Sequence, residues 1–294
     1  MINPIMYLII SFIPAGILAV ILEIWRYLNQ PNNQRLPIHD KLLRPPGETA
    51  RRRAEHLNEK IDEVSLWVFG FPITLLICFL SSTGTGQPGR PIFGVWLAAF
   101  GVAAAVFGVL IWKLGSLYRE RNYWRESFGA ERAVGEQINQ LMCDGCRVLH
   151  DFPLADNWNI GHIIIAPSGV YAVETRARRK GGASGSQQAH EVVYDGKTLE
   201  FPFQSEIGDL VHARAQAERL AKLLQEALKE PISVKPVLTL PGWYVINRNT
   251  GDVLVVNPKM IDAAVITHTA PVLTPERIRQ IAQVLDRKCH DLEY

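Results

Sequence analysis

The chain has 294 residues and a formal charge of +2, from 31 Lys and Arg against 29 Asp and Glu. This length suits one moderate domain with accessories. The charge balance excludes a global basic attraction for nucleic acid, so any phosphate-binding case rests on local clusters. Four scattered cysteines exclude a disulfide framework.

Three apolar runs come first. Ile5 to Leu22 is broken only by Ser11, Pro14 and Gly16 and has the length of a membrane span. No basic region precedes it. Glu23, Trp25, Arg26 and Tyr27 follow it in place of a small-residue cleavage site, so a retained anchor is expected. Arg26 to Lys60 carries eight Lys or Arg, with an irregular Pro- and Asn-rich middle. From Gly47 a helix is predicted. Ala50, Ala54, Leu57, Ile61 and Val64 form a short coiled-coil-like seam, either a self-association surface over residues 50–64 or a face packed on the chain itself. Val64 to Leu80 and Ile92 to Trp112 are the other runs, with Gly94, Gly101 and Gly108 recurring every seventh residue. Basic segments on either side of a nearly neutral Ser81 to Pro91 loop predict an N-terminus outside and a C-terminal domain in the cytoplasm of an inner membrane. The expected organisation is a first span in 1–28, a basic cytoplasmic loop and helix in 29–63, two further spans in 64–113, and a cytoplasmic domain in 114–294.

The rest reads as a mixed α/β domain. Tyr118 to Met142 is predicted helical on the stripe Val134, Ile138 and Leu141, and Arg147 to Leu154 is predicted as a strand. Asn159 to Arg176 reads as two strands joined by Pro167-Ser168-Gly169. The second ends in Glu174-Thr175-Arg176, whose i, i+2 spacing puts an acid and a cation on one face. Arg178-Arg179-Lys180 opens a cationic, Gly-rich loop with the chemistry to meet phosphates. Asp195-Gly196 marks a hairpin, Ser205 to Lys229 a long helix stopped by Pro231, and Val234 to Leu240 and Val253 to Val256 strands. A last helix is predicted from Thr274 with Pro275 at its first position. Cys143, Cys146, Cys289 and His290 include the residue types of a zinc site; reduced thiols at a helix-to-strand turn are the simpler reading.

Several pieces form an ordered set: Gly135-Glu136, His150-Asp151-Phe152-Pro153, Asn159-Ile160-x-His162, Gly169-Val170-Tyr171, Glu174-Thr175, Pro236-Val237-Leu238 and Pro241-Gly242-Trp243-Tyr244. With these the C-terminal part resembles the NERD domain, the nuclease-related domain of the PD-(D/E)XK restriction-endonuclease-like superfamily. The resemblance implies a restriction-endonuclease-like core, and a site in which Mg²⁺ or Mn²⁺ is held by two acids beside a lysine. Carried over, it makes Glu174 a metal ligand, Glu136 its support from the first helix, and Arg176 the occupant of the lysine position. Gly161 stands where the family has an acid. Arginine does not give up a proton near neutral pH, so the water-activating role is lost at 176. Asp151 and Asp156 are the candidates for a migrated carboxylate. In the long helix the family carries glutamine in two successive turns; Gln216 remains and His212 takes the earlier place. The implied readings are a nucleic-acid binder with a degenerate site using Arg178, Arg179, Lys180 and Gln216, an active metal-dependent endonuclease for DNA with a relocated ligand, or a membrane scaffold.

Overall fold

The computed structural model describes residues 24, 42–83, 92–154, 158–180, 190–266 and 272–292. The first apolar run, Asp156 and most of the loop after Lys180 lie outside them. The chain divides into two units, one including Ala54–Asn122 and the other Ile38–Arg53 with Tyr123–Tyr294. The second unit takes in a segment from before the second apolar run and resumes at Tyr123.

Two long helices pass through both sets of residues. Helix α1 (Glu48–Thr83) is 36 residues long and carries Pro72 inside it. The expected seam is real, but Ala50, Ala54, Leu57, Ile61 and Val64 are all buried within the single chain. Helix α2 (Ile92–Asn139) runs 48 residues without a break, so the third apolar run and the helix predicted from Tyr118 are one element. Among the described residues one helix, 97–144, is long and apolar enough to cross a membrane. The expectation of three spans is corrected to that extent: the apolar half of α1 continues a charged helix, and the first run is not among the described residues.

The second unit is a mixed α/β fold. A short strand β1 (Leu42–Leu43) precedes α1. After α2 come β2 (Arg147–Pro153), β3 (Asn159–Ala166) and β4 (Gly169–Thr175). Next are β5 (Glu191–Tyr194), β6 (Leu199–Phe201), β7 (Gln204–Glu206) and α3 (Gly208–Leu228). Strands β8 (Val234–Thr239), β9 (Tyr244–Asn247) and β10 (Leu254–Val256) follow. Helices α4 (Ile261–Ile266) and α5 (Pro275–Cys289) and strand β11 (His290–Leu292) close the unit.

One five-stranded sheet has the order β10-β8-β4-β3-β2, with β8 parallel to both β10 and β4 and the other pairs antiparallel. A four-stranded sheet has the order β7-β6-β5-β9. The predicted hairpin is the β3–β4 pair, and Gly169 at φ +136° supplies the turn conformation that other residues avoid. Both strands are apolar on both faces because both faces are covered. Ile160, Ile163 and Ile165 pack with Leu220, Leu224, Ile281 and Leu285 of α3 and α5 on one side. Ile164, Tyr171 and Val173 pack with Val134, Ile138 and Leu141 on the other. This sandwich holds the C-terminal end of β4 rigidly between α2 and α3.

Candidate active site

Glu174 lies one residue from the end of β4, pinned by its parallel neighbour β8 and nearly sealed from solvent. Thr175 Oγ1 meets Thr239 Oγ1 at 3.1 Å, and Arg176 N donates to Thr239 O at 3.0 Å, which fixes the chain as it leaves the sheet. The i, i+2 prediction holds: an Arg176 terminal nitrogen is 3.0 Å from Glu174 Oε1. From α3, Gln216 Nε2 donates to Glu174 Oε2 at 2.6 Å and to Asn159 O at 3.1 Å. One turn earlier, His212 Nδ1 stands 3.4 Å from Glu174 Oε1. Positions four apart share a helix face, so both side chains reach the same carboxylate.

A cavity of about 180 Å³ opens over this group. Its walls come from Trp124, Ser127 and Glu131 of α2, Asn159 and Gly161 of β3, and Glu174 to Arg176, with Trp158, His212 and Gln216 beside them. The helix contributes Glu131, not Glu136. Five residues further on is about 140° around a helix, and Glu136 lies exposed, paired with Arg132 at 3.2 Å. The sequence signal that would have found Glu131 is its spacing from Trp124 and Ser127, which repeats at three and four along one face.

The electrostatics are those of a closed network. Glu174, Arg176, Asp209, Arg178 and Glu206 form an alternating chain: Arg176 Nε is 3.2 Å from Asp209 Oδ1, and an Arg178 nitrogen contacts Asp209 Oδ2 at 2.7 Å and also Glu206. Arg179 is paired with Glu126. The two arginines expected to meet phosphates are therefore engaged by the protein's own carboxylates; Lys180 is exposed. Burial is the main force raising the Glu174 pKa, opposed by Arg176 and the Gln216 hydrogen bond. Glu131 is pushed up to about 8, chiefly by burial and then by the carboxylates of Asp151 and Glu174. His212 is lowered to about 4 by burial and by Arg176. It is neutral near pH 7, so its contact with Glu174 is not an ion pair.

Asp151, a candidate for a migrated carboxylate, lies on β2 between the His150–His162 and Phe152–Ile160 pairs with β3. Its φ of +47° is a left-handed conformation inside β2, which pairs with β3 on either side of it. Its Oδ2 accepts from Arg44 at 3.0 Å and from Thr49 N and Oγ1 at 2.9 and 2.7 Å, and its Oδ1 accepts from Asn159 Nδ2 at 2.5 Å. Asp151 is thereby committed to capping the start of α1.

Residues 126–241 match the sequence model of the nuclease-related domain, NERD. No curated protein and no solved structure matches the chain. The match supports a nuclease-related domain and spans α2's last turns, the β2–β4 strands, α3 and β8. The family's implied divalent metal does not fit the NERD segment's residues as placed. Both Glu174 oxygens are taken, one by a guanidinium that repels a cation, and Gly161 offers no ligand. Among the described residues no three His, Cys, Asp or Glu side chains are grouped to hold a metal. Cys143 and Cys146 are free thiols, the first exposed and the second buried.

Proposed function

We propose that this is a membrane-anchored, nuclease-related protein whose NERD domain binds nucleic acid with a degenerate, non-cleaving site. The observation that carries the reading is the Glu174–Arg176 pair opposite Gly161. A fixed guanidinium stands where a nuclease of this kind needs a dication, and arginine does not serve as a base toward water. The apolar half of α2 is the anchor, and the basic residues after it, Lys113, Arg119, Arg121 and Arg125, favour a cytoplasmic domain. The test is Mn²⁺ titration of the full chain in detergent beside Glu174→Ala, with plasmid nicking in the same tubes. The expected result is neither binding nor nicking by the folded protein. Binding and nicking that both vanish in Glu174→Ala would instead establish an active endonuclease with a relocated ligand.

A further inference from the structure

Resting on that nucleic-acid reading, we infer that the cavity over Gly161 takes a single nucleobase from a single strand, with Arg53 and Arg219 holding the strand's backbone at its margin. Three observations carry this. First, Arg178 and Arg179 are consumed by Asp209, Glu206 and Glu126. Second, Arg53 and Arg219 are exposed and have no carboxylate partner among the described residues, yet both are held. The Arg53 guanidinium lies 4.4 Å from the Trp124 ring centroid and that of Arg219 lies 3.8 Å from Trp158, which itself stacks on His212 at 4.8 Å. Trp124 and Trp158 both line the cavity. A guanidinium laid on an aromatic ring is pre-oriented, keeps its charge and donors for an anion, and loses little freedom on binding.

Third, the cavity is polar and incompletely satisfied. Glu131 Oε2 and Gln216 Oε1 are buried without a hydrogen-bond partner among the described residues. Arg176 Nε and His212 Nδ1, though near Asp209 and Glu174, are not aligned with them for a hydrogen bond. Such atoms are costly to leave unpaired. A space of about 180 Å³ equals about six waters at roughly 30 Å³ each. That is room for one planar ring. The edge of a nucleobase carries donors and acceptors side by side, which suits a mixed set of orphan groups better than a phosphate does. Carboxylates on both sides of Arg176 oppose a second anion there. Gly161 lines the space and contributes no side chain to it.

The experiment measures affinity of the full chain in detergent for labelled single-stranded DNA and RNA, the corresponding duplexes, and a single strand with abasic residues. Single strands are expected to bind at least about fivefold tighter than duplex or abasic strand, as base contacts of this type require. Arg53→Ala and Arg219→Ala are each expected to weaken binding severalfold and to lower the salt slope by about 0.7 for a single strand. DNA and RNA arms separate the two sources of the same chemistry. Equal binding of strand, duplex and abasic strand, unchanged in both arginine variants, overturns the inference and leaves nucleic-acid binding standing. No binding of any strand by the folded chain overturns both.

Discussion

The difference between this site and a metal-dependent one comes down to single residues. Glu174 on β4 is held by Arg176 and Gln216. A Cβ at Gly161 would meet Val173 O at 3.3 Å, a tight contact that a small strand adjustment relieves. Gly161→Asp combined with Arg176→Lys is therefore expected to raise the affinity for Mn²⁺ above that of the parent. Calorimetric titration checks it: the double variant is expected to bind Mn²⁺ with at least millimolar affinity, a binding free energy of about −4 kcal/mol. The neighbouring histidines follow the same logic of burial. His150 and His162 face each other across β2 and β3 with their Nδ1 atoms 2.9 Å apart, and His150 Nε2 meets Asn139 Oδ1 at 3.0 Å. Asn139 Oδ1 can only accept, so His150 Nε2 donates to it, His150 Nδ1 accepts, and His162 Nδ1 donates.

At the scale of elements, the start of α1 is fastened to the sheet by a residue far away in sequence. The first N–H groups of a helix need outside acceptors, and Asp151 supplies one to Thr49 while Arg44 neutralises it. Glu48 in the same turn is buried and paired with Arg51 and Arg52, which lower its pKa against the effect of burial. Arg44→Ala removes the cation from a fully buried carboxylate. It is expected to cost about 3 kcal/mol of domain stability, seen as a lower unfolding temperature and faster amide exchange over Thr49 to Arg53. The elements themselves were largely legible. The β3–β4 hairpin, α3 and α5 follow from β-branched runs, helical spacing and Pro or Gly punctuation, because those signals are local. The β1–β11 pair was not, since it joins Leu42 to Leu292 and neither two- or three-residue strand carries a pattern. Nor was the continuity of α2, where a change of composition near Trp112 marks no break in the backbone.

For the whole molecule, the buried titrating groups set a pH dependence of stability. His150 and His212 are held at about 4, and His162 well below its ordinary 6.5, mainly by burial. Below 6.5 the unfolded chain takes up protons that the native one refuses, so stability falls as pH drops from 6.5 toward 4. Glu131 acts oppositely. Its pKa of about 8 against an ordinary 4.5 means the native chain keeps a proton the unfolded one loses, so its contribution falls as pH rises from 4.5 to 8. Glu174, raised likewise by burial, acts in the same sense as Glu131, so the three histidines outweigh the two glutamates only up to about pH 6. A stability maximum at about pH 6 is expected in thermal unfolding. Glu131→Gln is expected to flatten the alkaline side, with a gain on the order of 2 kcal/mol above pH 8; an unchanged alkaline limb would refute the assignment.

The sequence by itself determined the mixed α/β class, the apolar helix suited to a membrane and the nuclease-related resemblance. Each depends on residue type at a fixed local spacing, which chain order preserves. Only the tertiary structure decided which charges are used. Arg178 and Arg179 look free in a line of text and are engaged in space, Glu136 yields its place to Glu131, and Asp151 is spent on a helix end. Charge pairing depends on distances between segments far apart in the chain. Those distances exist only once the sheet has been assembled and α2 and α3 have closed on either side of Glu174.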